Sequence, residues 1–188
     1  MSLDNSPKAK DKIILGIDPG TSITGYGLIQ IKGSGMSLIQ YGVIHLNKYS
    51  DHAIKLSKIF ERVVQLIDEY LPDEMAIEAP FYANNVQSML KLGRAQGVAI
   101  AAAISRQIPI TEYAPRKIKQ AVTGNGNASK EQVAAMLTNI LKFKATHEFL
   151  DATDALGVAV CHHFQNGNQA SKSKSWASFL KDNPGRVK

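Results

Sequence analysis

The chain has 188 residues, 44% of them hydrophobic and 20% charged, with a formal net charge of +6 and one cysteine. That length suits a single domain with its own buried core. One cysteine, Cys161, excludes an intrachain disulfide framework and a cysteine-rich zinc site, and no apolar run approaches the roughly 20 residues that cross a bilayer.

Residues 1–12 are polar, lack the apolar middle of a secretory signal, and read as a disordered leader of a cytoplasmic protein with no membrane partner. Ile13 to Ile17 then form an apolar strand that ends at Asp18. Thr24 to Ile31 and Met36 to His45 are β-rich runs separated by Lys32-Gly33-Ser34-Gly35, a hairpin signal, so the first three strands are expected to form an antiparallel meander. From Asp51 to Tyr70 the apolar residues Ile54, Ile59, Val63, Leu66 and Ile67 recur at helical spacing, and Leu71-Pro72 ends the helix.

Met75 to Glu78 is a short strand and Asn85 to Arg106 a long helix, whose Ser88, Gly93, Ala95 and Gly97 allow close packing. Pro109 to Tyr113 is a strand, and Pro115 opens the next helix at its first turn. Ser129 caps a further helix, with Gln132 at the capping-box position. A last helix is expected from near Glu148 to about Phe164, its His162-His163 pair near the end facing solvent or the helix dipole. The order βββαβαβααα predicts an α/β protein with a mixed five-stranded sheet flanked by helices. Residues 13–164 would be the folded domain and 165–188 a basic, flexible tail. Ser171 to Lys188 carries five basic residues against one acidic, so four of the six net charges lie there. The basic balance suits a nucleic-acid partner, and suits equally a solvated tail.

Four carboxylates stand where a structural protein has little use for them. Asp18 and Glu78 each end an apolar strand, and Asp151 and Asp154 lie three apart on one face of an otherwise apolar helix. Strand ends of an open α/β sheet converge on one edge, and four negative charges gathered there require a cation. An all-oxygen donor set favours a hard ion, Mg²⁺ or Mn²⁺, and two such ions about 4 Å apart can clamp the attacking and leaving oxygens of a phosphoryl displacement. Taken singly, Asp18 could serve its turn and Asp151 and Asp154 the helix start. Taken together, the four indicate metal-dependent phosphoryl chemistry.

Ile14-Leu15-Gly16-Ile17-Asp18-Pro19-Gly20-Thr21 with Thr24-Gly25-Tyr26-Gly27 resembles the opening of the RuvC family of bacterial Holliday-junction resolvases. Ala76-Ile77-Glu78, Lys91-Leu92-Gly93-Arg94-Ala95-Gln96-Gly97-Val98-Ala99 and Asp151-Ala152-Thr153-Asp154-Ala155-Leu156 resemble its later motifs, in order. The likeness covers about residues 13–164. It implies an RNase H-like fold and a homodimeric, Mg²⁺-dependent endonuclease with two ions per active site, for which Mn²⁺ can substitute. Such an enzyme cuts two opposed strands of a four-way DNA junction symmetrically, in recombination and repair, leaving 5′-phosphate and 3′-hydroxyl ends.

The resemblance makes Asp18, Glu78, Asp151 and Asp154 the catalytic and metal-binding carboxylates. It places Lys119 and Lys130 near the scissile phosphate and gives Phe81 a stacking role on exposed bases, which Tyr82 could share; Arg116 and Lys117, beside Lys119, are further candidate DNA-binding residues. It also implies a RuvA–RuvB branch-migration partner. Ala79, where the family often has a polar residue, and Asn84, where many members have lysine, depart from the pattern and bear on DNA affinity. A junction-binding module with weak catalysis, or a nuclease of the same fold acting on RNA, are the alternatives. An actin-like ATPase needs a second Asp-x-Gly-Thr domain for which a chain of this length has no room.

Overall fold

The computed structural model describes residues 11–80, 85–143 and 150–169, the side chains of 150, 151 and 166–169 excepted. Most of the expected leader and tail, together with Phe81, Tyr82 and Asn84, therefore lie outside the described residues.

Ten elements follow in chain order: β1 (Lys12–Asp18), β2 (Ile23–Lys32), β3 (Gly35–His45), α1 (His52–Tyr70), β4 (Glu74–Glu78), α2 (Val86–Ser105), β5 (Ile110–Tyr113), α3 (Pro115–Thr123), α4 (Lys130–Leu141) and α5 (Leu150–Gln169). The sheet order is β3-β2-β1-β4-β5. Antiparallel pairing joins β1 to β2 and β2 to β3, whereas β1, β4 and β5 run parallel. This is the mixed sheet of the RNase H-like fold. A register shift between Leu28 and Ile29 places one extra residue of β3 in the outer pairing.

Alternation along the strands explains the two layers. Leu15, Ile17, Leu28, Met75 and Ile77 face α1 and α2, where they meet Ile59, Val63, Leu66, Ala95 and Ala99. Ile14 and Ile29 face the other side, against Leu137, Leu156 and Val160 of α4 and α5. With both faces covered, β1 reads as a continuous apolar run rather than an alternating one. Burying a side chain such as Leu156 removes enough apolar surface from water to be worth about 1.5–3 kcal/mol. Gly16 and Gly27 bring α5 onto the sheet: a Cβ on Gly16 would strike the carbonyl oxygen of Ala155, and one on Gly27 would lie 2.6 Å from Leu156 Cδ2.

Caps follow the sequence. Asp51 accepts from Ile54 N, Asn85 from Ser88 N, and Ser129 with Gln132 forms a complete capping box. Pro115 occupies the first turn of α3. Two expectations need correction. The last helix runs to Gln169, beyond Phe164, because no proline interrupts it and each added residue gains a hydrogen bond once the helix exists. His162 faces neither solvent nor the helix end. It is 3% exposed, its Nδ1 lies 2.9 Å from the Tyr113 hydroxyl, and its Nε2 lies 2.8 Å from Glu74 Oε2. Proximity to the chain's polar extension misled, since α5 lays this position over the sheet.

Candidate active site

Asp18 and Glu78 are brought together by strand pairing. Ile17 is in register with Ile77 in the parallel β1–β4 pair, so the next residue of each strand emerges at the same edge. The two-residue period of a strand turns both carboxylates toward the α5 side, the side on which Ile14 lies. Each is pinned from behind. Thr24, fully buried, donates through Oγ1 to Gly20 O at 3.0 Å and accepts from Gly20 N at 3.2 Å, which holds the turn after Asp18. Ala79 N donates to Tyr113 O at 2.9 Å, which holds the chain after Glu78 against β5.

Asp154, in the first turns of α5, completes the described carboxylates. Together with Asp18, Glu78, Lys119 of α3 and Lys130 of α4 it lines one cavity of about 270 Å³, walled on the apolar side by Pro115, Ile118 and Val133. Lys130 donates to Asp154 Oδ2 at 2.6 Å. A second cavity of about 230 Å³ opens on the other side of Asp18 and Glu78, bounded by Pro19, Ala79, Pro80, Leu92 and Gln96. Gln96 is itself buried, and its amide donates to Glu112 Oε2 at 2.7 Å.

Electrostatics mark the site. The Glu78 carboxyl is pushed up to about 7, first by burial and then by the negative charge of Asp154, with Lys130 and Lys119 offsetting only part of the effect. A carboxyl so strongly displaced in a cleft is a mark of functional chemistry, and a divalent cation among these oxygens would reverse the displacement. The donor set fits such an ion, being all carboxylate with no thiol or imidazole in the lining. Among the described residues, no three His, Cys, Asp or Glu side chains stand close enough to hold one ion by themselves. Asp151 is placed on α5 one turn before Asp154, and its side chain is outside the described residues.

Of the other expected residues, Lys119 and Lys130 reach the cavity, whereas Arg116 and Lys117 do not line it. Arg116 packs over the loop at Gly126, where an added Cβ would lie 2.8 Å from its Cγ. Lys117 Nζ sits 5.2 Å from the centre of the Tyr113 ring. Sequence reasoning missed Gln96 and the Tyr113–His162–Glu74 chain. Gln96 stood in the sequence only as a member of the Lys91 to Ala99 motif, and the Tyr113–His162–Glu74 chain gives no local signal because its members lie far apart along the chain.

The chain is also similar to known proteins. Residues 14–162 match the family model described as crossover junction endodeoxyribonuclease RuvC. A protein of that name from Cytophaga hutchinsonii is 71% identical over 184 residues, covering 98% of this chain and 92% of the relative. The structure of Thermus thermophilus RuvC in complex with Holliday junction substrate superposes with a TM-score of 0.78 at 30% identity, covering 84% of this chain and 96% of that one. The yeast mitochondrial Holliday junction resolvase shares the fold, with a TM-score of 0.64 at 16% identity over 94% of this chain and 88% of its own. Strand-end carboxylates, a facing helix that carries Asp154, and similarity along nearly the whole chain lead to one assignment: the chain belongs to the crossover junction endodeoxyribonuclease RuvC family.

Proposed function

We propose that this protein resolves four-way DNA junctions, hydrolysing one phosphodiester in each of two opposed strands to leave 5′-phosphate and 3′-hydroxyl ends. The observation that carries the reading is the convergence of Asp18, Glu78 and Asp154, from three separate elements, with Lys119 and Lys130 around one cavity. These carboxylates, with Asp151, would hold Mg²⁺, two ions per site, and Mn²⁺ would be accepted by the same oxygens. When bound, the metal supplies the positive charge that acidifies a water and neutralises the leaving 3′-oxygen.

The chain's own groups do the rest. Lys119 and Lys130 present ammonium donors to the phosphate oxygens, where charge grows as the bond to the 3′-oxygen breaks. Pro115, Ile118 and Val133 keep one wall of the cleft dry, which strengthens each of these interactions. Glu78 accepts a proton near neutrality when no cation opposes it. Arg116 and Lys117, exposed on α3, would follow the DNA backbone beside the site. Phe81 and Tyr82 are proposed to stack on unpaired bases at the junction centre, an interaction worth about 1–3 kcal/mol per base.

Two symmetric cuts suit a two-fold dimer. Supporting it, Val86, Leu90 and Ile104 of α2 are 67%, 51% and 62% exposed, and Gly93 and Gly97 on the same helix face have no atom within 4 Å of an added Cβ. The small residues therefore pack against nothing within the described chain. Family membership supports a RuvA–RuvB partner and action in the cytoplasm. Among the described residues, no helix is long and apolar enough to cross a membrane.

The test is a synthetic four-way junction and a linear duplex, each with Mg²⁺ or EDTA, for the wild type and Asp154→Asn. Paired nicks in the junction alone, abolished by EDTA and by the substitution while binding persists, are expected. Tight junction binding with no cleavage in any sequence would reduce the protein to a binding module, and cleavage of RNA in preference would move it to another substrate class.

A further inference from the structure

Lys130 has a position in this site that a general phosphate contact does not require. It is the first residue of α4, fixed by the Ser129–Gln132 capping box. The loop before it is locked as well: Gln120 Nε2 donates to Gly124 O at 2.6 Å, and Gly126 N donates to Gln120 Oε1 at 3.0 Å. From that anchored backbone its ammonium reaches across to Asp154 Oδ2 at 2.6 Å. The two partners are unequal. The Asp154 side chain is only 18% exposed and rides on a helix seated against the sheet, whereas the Lys130 side chain is 56% exposed on a flexible four-carbon stem. Asp154 stays, and Lys130 can swing out. Lys119 lines the same cavity from α3 without an ion pair to Asp154 among the described residues.

We propose that Lys130 is an internal competitor for the metal site, its ammonium and the divalent cation contending for the Asp154 carboxylate. This inference rests on the metal-dependent reading above and concerns the order in which the site fills. A cation that takes Oδ2 must displace the ammonium or lie beside it, and like charges in a partly dry cleft repel. Lys130 therefore weakens metal binding to the protein alone. Once displaced, its ammonium stands at the mouth of the cavity, where a phosphate can take it. A phosphate that draws Lys130 away in turn frees Asp154, so substrate and metal each favour the other's binding, as linkage requires. The site therefore fills more readily when backbone phosphate is present.

The experiment measures Mn²⁺ binding to the full chain without DNA, by the electron paramagnetic resonance of free Mn²⁺. It compares wild type, Lys130→Met, Lys130→Arg, Lys119→Met and Asp154→Asn. Lys130→Met is expected to bind Mn²⁺ roughly five- to tenfold more tightly, the scale of one lost charge-assisted pair. Lys130→Arg should stay near wild type, and Lys119→Met should stay within about twofold of it. Unchanged or weaker binding by Lys130→Met would overturn the proposal, since the lysine would then merely orient Asp154. Equal tightening in Lys119→Met would overturn it too, as general relief of positive charge. Wild-type affinity in Asp154→Asn, or no Mn²⁺ bound by either the wild type or Lys130→Met, would instead bring down the reading of the metal site itself.

Discussion

Glu78 shows the cost of burying a carboxylate, with a second one beside it. Its folded-state value of about 7 lies above the ordinary 4.5. Above both values the charged form is held where it is disfavoured, and protonation on going from pH 8 toward pH 5 relieves the fold. The displacement corresponds to a penalty on the order of 2 kcal/mol at pH 8 after solvent screening. Glu78→Gln should therefore abolish junction cleavage yet raise the melting temperature of metal-free protein at pH 8 by roughly 4–8 °C. That gain should largely vanish by pH 5, which calorimetry at the two pH values would check. Divalent-cation binding by the wild type should weaken as pH falls through about 7, because the proton and the metal compete for the same oxygens. His162 has the opposite sign. Burial first, against the opposing pull of Glu74, holds its imidazole below the ordinary 6.5. The stability it supplies is complete above pH 6.5 and is lost as pH falls below that value. His162→Phe strands the Tyr113 hydroxyl and should cost about 1–3 kcal/mol at pH 7.5 in chemical denaturation, with a flatter pH dependence below 6.5.

Among the elements, the loop between α3 and α4 sets the spacing of the two lysines. Gln120 spans it with both ends of its amide, Thr123 Oγ1 accepts from Asn125 N at 3.1 Å, and Asn125 Oδ1 accepts from Asn127 N at 3.0 Å. Gly124, at φ 77°, provides the left-handed residue that ends α3. Gln120→Ala should leave junction affinity near wild type while lowering kcat by roughly tenfold, because an ångström of misplacement at a reacting centre is expensive. Single-turnover kinetics at saturating enzyme would separate the two. In the sequence, residues 124–130 are a polar, glycine-containing stretch that lacks the Gly-Lys-Ser/Thr ending of a phosphate loop. Its function as a clasp depends on where the Gln120 side chain lands, and spacing carries no such information. By contrast the capping box at Ser129, the hairpin at Gly33 and the carboxylates at strand ends were readable, since each is a local rule of a few residues. The His162 contacts join residues 49 and 88 positions apart, and pairing at that range comes from topology alone.

For the whole molecule, the face of α2 formed by Val86, Leu90, Gly93, Gly97 and Ile104 is the largest test of the proposed assembly. Leu90→Asp should shift the protein to monomer in sedimentation, and its cuts in the two junction strands should become independent of one another, resolved by following nicks in a supercoiled cruciform. A dimer that survives Leu90→Asp would move the interface elsewhere. The sequence suggested that these small residues serve close packing; it could not say against what, because a helix carries no label for its neighbour. The seating of α5 has a further consequence. Helix and sheet touch at Gly16 and Gly27 with no room for a methyl group, and Asp154 is carried on that helix while Asp18 ends the strand beneath it. A methyl at position 16 would prise the two apart while every acidic residue remained in place. In any collection of variants, a list of intact carboxylates would then count a dead enzyme as a live one. The absent side chain at position 16 is as much a reagent of this protein as the aspartates, and a screen for function should ask for it by name.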